Sequence, residues 1–394
     1  MIFVEFIKIK IKRFIEICFN QDITPPEFKI ILPLLIYNNI LFIKKQDGTI
    51  IKKGGVLMQK IKIAQIGLNI YSHSTDVFKT LKKQKDKFEI VGYVLPENEK
   101  QRLSDKLSVF DGYEELSLDE VLSNPEIEAV AIETDEIYLT KYALMAAKAH
   151  KHIHMEKPGG RELCDFEELI SIMKKTGKVF HTGYMYRYNP LIKEMLSRVK
   201  NGEFGEIISV EAQMNCWLSQ ETRQWLKDLP SGMMFFLGCH LLDLVLTLQG
   251  KPEKIIPLNK STHLDGVTAD DFSMAVLEYE KGYSFIKTTA VEVSGFARRQ
   301  LVINCENATL ELNPLEWYVD GEKLVTKCVL RTAKENWHEK GVTGYSEPCS
   351  RLGAMLDGFY KMCTEEIKNP YTLDYELDLY KLILETCNYK GEGK

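Results

Sequence analysis

The chain has 394 residues, 45% of them hydrophobic and 27% charged, a balance that fits a soluble globular protein of about two domains and excludes a largely disordered one. Its net charge of −5 conceals an asymmetry, because residues 1–57 carry 9 basic and 5 acidic side chains and the remainder 42 and 51. The acidic main body argues against nucleic acid as a partner. The nine cysteines, with no Cys-x-x-Cys pair among them, point to a reduced, cytoplasmic setting.

The first 57 residues differ from the rest. Their longest apolar run, "IILPLLIYNNILFI", falls short of the roughly 18 to 20 residues that span a bilayer and is interrupted by Pro33 and Asn38-Asn39, so no membrane segment is expected. The opening "MIFVEFIKIKIKRF" interleaves charge with apolar residues, unlike a secretory signal. Read as an added module, the segment has a helix opening at Thr24-Pro25-Pro26 and a hairpin turn at Asp47-Gly48. The preferred expectation is that residues 1–57 are untranslated upstream sequence and Met58 is the start, since "KKGGVLM" can be encoded with a bacterial ribosome-binding sequence just ahead of the Met58 codon.

From Lys60 the pattern becomes regular: strand "KIKIAQIG", a helix across "STDVFKTLKKQ", strand "FEIVGYVL", a helix capped near Ser117, a turn at Asn124-Pro125, strand "AVAIET", a helix across "LTKYALMAAKAH" and strand "HIHME". This alternation predicts a parallel, doubly wound sheet. A Gly-x-Gly-x-x-Gly loop after the first strand would bring backbone amides to a pyrophosphate. Only Gly67 of that pattern is present. Asn69 tolerates left-handed backbone angles and Ser72, His73, Ser74 and Thr75 supply donors, which leaves open both an altered phosphate loop and a plain strand–helix turn. At the end of the second strand Leu95 stands where a ribose-binding acid is usual, with Glu97 two residues later as either ribose ligand or solvated loop carboxylate. No arginine follows immediately, so NAD is preferred over NADP.

Three segments, "HIHMEKPGG", "FHTGYMYRYNP" and "GCHLLDLVLTLQG", occur in an order and spacing that resembles the Gfo/Idh/MocA oxidoreductase family over residues 60–390. The resemblance implies an α/β protein: a Rossmann domain with a doubly wound parallel sheet at 58–180, then an α/β domain at 181–394 with a large, mostly antiparallel open sheet. The strand-like runs "EIISVEAQMN", "DFSMAVLEY", "YSFIKTTAVE", "RQLVINCEN" and "ATLELN" suit that sheet. "RLGAMLDGFYKMCTEEI" and "YELDLYKLILETC" read as amphipathic helices packed on the body. The resemblance further implies hydride transfer between a nicotinamide cofactor and a sugar, inositol or related polyol, and assembly into a homodimer or homotetramer.

Carried over position by position, the family pattern makes Lys157 and His240 the catalytic candidates, with Glu156, Lys157, Pro158 and Thr134 beside the cofactor. A lysine polarises the reacting oxygen or relays its proton, and a histidine exchanges protons near neutral pH. The family's aspartate four residues before that histidine is replaced by Phe236, an aromatic face that either stacks on a sugar ring or fills space; Asp243 stands one helical turn beyond His240, where it can support it. Arg187 and Tyr184 are candidate substrate contacts, with Arg187 positioning either substrate or the domain interface, and Tyr184, Tyr186 and Tyr188 at strand spacing would share one face, as a structural element or a sugar-facing wall. Asp135 and Glu136 replace the usual Pro-Asn and place negative charge where an extra phosphate would lie. His150, His152 and His154 alternate without a convergent Cys or Asp cluster, so no metal site is expected, and Arg298-Arg299 reads as a solvated turn rather than an anion contact. Two other readings remain: NAD-assisted cleavage of a glycosidic bond on the same fold, and a non-catalytic nucleotide- or sugar-binding regulator.

Overall fold

A computed structural model describes residues 41–44, 50–53, 59–336 and 338–391. Within the first 58 residues, strands Leu41–Lys44 and Ile50–Lys53 pair antiparallel. The Asp47-Gly48 turn, the helix at Thr24-Pro25-Pro26 and the start at Met58 lie outside the described residues.

The apolar alternation from Lys60 onward folds as β1 (Ile61–Ile66), β2 (Phe88–Val94), β3 (Ala129–Ile132), β4 (His152–Met155) and β5 (Phe180–Thr182). They form one parallel sheet in the order β2-β1-β3-β4-β5. Its central strand β3 is buried at every position, as a strand covered on both faces must be. The crossovers run through α1 (Ser74–Lys83), α2 (Leu139–Lys148) and α3 (Leu163–Thr176), which bury Val77, Phe78 and Leu81, Ala143, Ala146 and Ala147, and Leu169, Ile170 and Met173 respectively. A short helix, Leu118–Ser123, starts at Ser117 with a reciprocal capping box to Glu120, as its Ser-x-x-Glu spacing predicts. The strand order reverses at β1/β3, and the carboxyl ends there open the crevice where such sheets bind ligands.

After α4 (Pro190–Lys200), capped by Asn189, the second sheet is built from β6 (Ile207–Gln213), β7 (Lys254–Lys260), β8 (Phe272–Tyr279), β9 (Gly282–Thr289), β10 (Gln300–Cys305), β11 (Thr309–Leu312), β12 (Lys327–Arg331) and β13 (Val342–Tyr345). Its order is β13-β12-β11-β10-β6-β9-β8-β7, with one parallel pair, β6–β9, and every other pair antiparallel. Helix α5 (Cys239–Gln249), apolar on nearly all sides, is buried against it. The two late helices, α6 (Gly353–Cys363) and α7 (Leu373–Thr386), return to the first sheet. Phe359 of α6 packs on Phe88, His154 and His181, and Tyr380 of α7 donates to the Gly160 carbonyl at 2.7 Å. The two sheets therefore share one body, and the parallel sheet extends to Thr182, just past the expected boundary at 180.

Candidate active site

Gly67 ends β1 with φ +99°, and a Cβ there would collide with the backbone of Thr134, so the first glycine is required by a close approach of the β1 and β3 ends. Asn69, a residue that tolerates a left-handed backbone, does not adopt one. Its buried side chain instead braces the loop: Oδ1 accepts from the Tyr71 amide at 2.8 Å, Nδ2 donates to Glu136 Oε2 at 2.8 Å, and its amide donates to Ser74 Oγ at 2.9 Å. An asparagine thus closes by side-chain bonds a turn that a second glycine would leave to backbone freedom. No side chain caps the first turn of α1 after His73, where the Asp76 amide turns back to the His73 carbonyl at 2.9 Å, and Ser72 Oγ is buried without a partner.

Beneath this loop lies a group of buried carboxyls. Glu99 accepts from the Leu68 amide at 3.0 Å and from Thr134 Oγ1 at 2.5 Å, yet burial raises it to about 8. Glu136 is raised by burial to about 7. Glu133, raised well above the carboxylate range by burial and then by Glu156 and Glu136, has no hydrogen-bond partner on either oxygen. Glu99 and Glu133 therefore hold their protons at neutral pH, and Glu136 is poised about midway between its two forms. Glu97 sits at φ +56° on the rim, its Oε1 accepting from Lys141 Nζ and Tyr142 Oη at 2.5 and 2.7 Å. Asp135 pairs with Arg102 at 2.8 Å, which offsets the negative charge predicted beside an extra phosphate and weakens that argument against NADP. Between these elements a cleft of about 490 Å³ is bordered by Tyr71, Glu97, Arg102, Asp135, Tyr138 and Trp225.

At the end of β4, Glu156 and Lys157 are both buried, and the Lys157–Pro158 peptide is cis. Lys157 Nζ donates to the Phe236 carbonyl at 2.9 Å, lies 4.6 Å from the centre of the Phe236 ring, and stands 3.6 Å from Glu156. Burial alone would lower its ammonium; Cys239, Glu156 and Glu136 outweigh burial and raise it. Phe236 occupies a widened helical turn, Met234–Gly238, that leads into α5. Its ring meets Trp225 edge-on at 5.2 Å, and Trp225 stacks on Tyr71 at 4.1 Å. Lys157, Phe236, Trp225 and Tyr71 thus form one cation–aromatic column that borders the cleft. His240, four residues after Phe236, is buried between the edges of Tyr184 and Tyr186, with Nδ1 unpartnered. Burial first, then Lys157, His73, Arg299 and Arg351, hold it well below the usual histidine value, and it is neutral.

Several expected contacts lie elsewhere. Asp243 does not support His240; it takes Arg187 in a two-point pair at 3.1 and 2.7 Å and accepts from Tyr375 Oη at 2.9 Å, because one helical turn beyond His240 faces α7. Arg187 is buried, with Nη1 on Glu376 of α7 at 2.5 Å and its guanidinium 3.8 Å from the Tyr371 ring, so it ties elements together and does not face the crevice. Tyr184, Tyr186 and Tyr188 do not share a strand face, since a tight helical turn follows β5 and sends them apart: under Arg187, to Glu316 and to His181. His150 lies in a turn at φ +57°, while His154 Nδ1 meets His181 Nδ1 at 2.7 Å in the core. Among the described residues no group of three or more His, Cys, Asp or Glu is placed to hold a metal, and no helix is long and apolar enough to cross a membrane.

Family comparisons agree with this architecture in both halves. Residues 61–184 match the oxidoreductase family with an NAD-binding Rossmann fold, and residues 192–311 match the GFO/IDH/MocA C-terminal domain. The chain belongs to the Gfo/Idh/MocA family. It is 27% identical over 173 residues to the uncharacterized oxidoreductase YhhX of Escherichia coli, covering 44% of this chain and 49% of that protein. It is 27% identical over 110 residues to myo-inositol 2-dehydrogenase of Thermotoga maritima, covering 28% and 32%. The chain spans about half the length of the first curated relatives it matches. A crystal structure of aldose-aldose oxidoreductase from Caulobacter crescentus complexed with glycerol superposes with a TM-score of 0.67 at 17% identity, over 84% of this chain and 98% of that one.

The Gfo/Idh/MocA fold implies a nicotinamide cofactor, and the residues present fit one. Gly67 makes the cradle that a Cβ would fill, the first turn of α1 is uncapped, and Ser72 Oγ and Glu136 Oε1 are buried without partners beside an open cleft. Ser72, His73 and the start of α1 would hold the phosphates, with Glu97 at the rim; Thr134 is fully buried with its hydroxyl on Glu99 and does not reach the cleft. Sequence reasoning missed Glu99, Tyr71 and Trp225 here, and Arg299, Glu316 and Arg351 on the opposite wall. Of these, Arg299 is legible in the sequence as part of Arg298-Arg299, with an anion contact weighed there and a solvated turn preferred.

Proposed function

We propose that this chain is an oxidoreductase that transfers a hydride between NAD and a hydroxyl-bearing carbon of a sugar, inositol or related polyol. The observation that carries this reading is the joint burial of a charged Lys157, at the end of β4 and bonded to the Phe236 carbonyl, and a neutral His240 four residues after Phe236. A bound nicotinamide supplies the hydride acceptor in the oxidative direction and the donor in the reductive one.

Lys157, held charged, donates to the reacting oxygen in place of the Phe236 carbonyl and stabilises negative charge developing there. His240 is already neutral, so its unpartnered Nδ1 accepts the hydroxyl proton in oxidation and returns it in reduction. Phe236 excludes water from the ammonium where the family's usual aspartate would admit charge. We take NAD as the preferred cofactor because no arginine immediately follows β2. The working form is proposed as a cytoplasmic homodimer or homotetramer.

A panel of sugars and polyols assayed for reduction of NAD and NADP tests this reading. Lys157→Met is expected to lower kcat by about 10²- to 10⁴-fold while NADH still binds. Turnover near the normal rate in that variant would overturn the mechanism. A non-catalytic regulator is the second reading, favoured by the Phe236 carbonyl that already occupies the Lys157 ammonium; NADH binding without turnover of any sugar would establish it.

A further inference from the structure

We infer that the substrate carries an acidic group, a carboxylate or a phosphate, seated against Arg299 and Arg351 on the wall opposite the dinucleotide loop. This rests on the oxidoreductase reading and narrows its substrate class. In the pair Arg298-Arg299, the first side chain turns outward to Glu292 at 3.1 Å while the second turns in and is 8% exposed. Arg299 Nη1 reaches Glu316 Oε1 at 2.5 Å, and Arg351 reaches Glu316 Oε2 through Nε and Nη2 at 3.1 and 2.8 Å. One carboxylate therefore serves two guanidiniums. Tyr186 Oη donates to the same carboxylate at 2.9 Å. Burial would raise Glu316, but Arg351 and Arg299 hold it below the usual range, so it is fully ionised and the pair keeps one uncompensated positive charge.

That surplus is directed at the reacting groups. Tyr186 presents its ring edge to His240 at 5.6 Å, linking the arginine pair to the candidate base through one side chain. Arg299 Nε is buried with no acceptor. A buried charged donor without a partner is costly, and a bond made only when substrate is present accounts for it. Arg351 also borders, with His73 and Tyr318, a cleft of about 310 Å³ that opens to the surface, where Lys79 and Lys83 stand against Asp76 and Glu322. A neutral polyol would desolvate this charge without answering it, whereas an anionic group converts it into charge-assisted hydrogen bonds. Carboxylate and phosphate present the same paired oxygens, and size separates them.

The test presents each of several hexoses to the full chain as the neutral sugar, its uronic acid and its 6-phosphate, with NADH binding followed separately by nucleotide fluorescence. One acidic form is expected to exceed its neutral parent in kcat/KM by about tenfold or more, the worth of one charge-assisted bond. Arg299→Met and Arg351→Met are each expected to raise KM for that acid by a similar factor with kcat little changed and NADH binding retained. Arg351, nearer the cleft mouth, carries the test should Arg299→Met fail to fold. Equal or better turnover of the neutral sugars, or an unchanged KM in the folded variants, would overturn the inference and leave the oxidoreductase reading standing. NADH binding with no sugar of either charge turned over would remove both.

Discussion

On the dinucleotide wall of the crevice, Glu133, Glu136 and Glu156 are buried around a single Lys157, with Glu99 buried beside Thr134; on the opposite wall, Arg299 and Arg351 are buried around a single Glu316. The surplus charge is handled differently on the two sides. A carboxyl removed from water can take up a proton; Glu99 at about 8 does so at neutral pH and Glu136 at about 7 does so in part. A guanidinium cannot lose its proton in a protein, so the arginine wall must be answered by a carboxylate and keeps whatever charge remains. Burial therefore leaves one wall nearly neutral and the other cationic.

Breaking the arginine wall is expected to have the larger effect. Glu316→Gln leaves two buried guanidiniums without a counter-charge and should cost about 3–5 kcal/mol, seen as a large fall in the midpoint of chemical unfolding. A loss under about 1 kcal/mol would mean that water already reaches the pair.

The acidic wall should instead respond to pH. Glu99 is raised from an ordinary 4.5 to about 8 in the folded chain, so between those values the unfolded chain binds fewer protons than the folded one, and stability falls as pH rises. Glu99→Gln should match the parent at acidic pH, exceed it above pH 8, and flatten the slope between. A slope unchanged in the variant would place the pH dependence on Glu136 or Glu133.

The smallest change is expected at the rim. Arg102 is 44% exposed in its side chain and pairs with Asp135, so Arg102→Met should alter stability by less than about 1 kcal/mol and leave NADH affinity nearly unchanged. A strong loss of NADPH binding with NADH spared would show that Arg102 leaves Asp135 for a ribose phosphate, against the preference for NAD.

The regular strand–helix alternation made the parallel sheet legible, because period-2 and period-3.6 apolar patterns are local properties of the chain. Lys157 and His240 were legible as well, through short segments whose spacing survives divergence. Asp243 was identified as a residue that matters but assigned to the wrong partner, since it faces a helix some 130 residues later, and of the two roles open to Arg187 its contacts with Asp243 and Glu376 match the structural one. The alternating tyrosines misled for the same reason: their spacing suits a strand, but the turn after β5 rotates each one toward a different neighbour.

Local sequence, then, was enough for the class of fold and the two candidate catalytic side chains, whereas the need for a glycine at Gly67 comes from the approach of Thr134. The partners of those side chains came only from folding. Whether Arg299 faces solvent or Glu316, and whether Glu99 keeps its proton, depends on burial and on residues brought together from distant elements. Electrostatics acts through space, and no pattern along the chain records those distances.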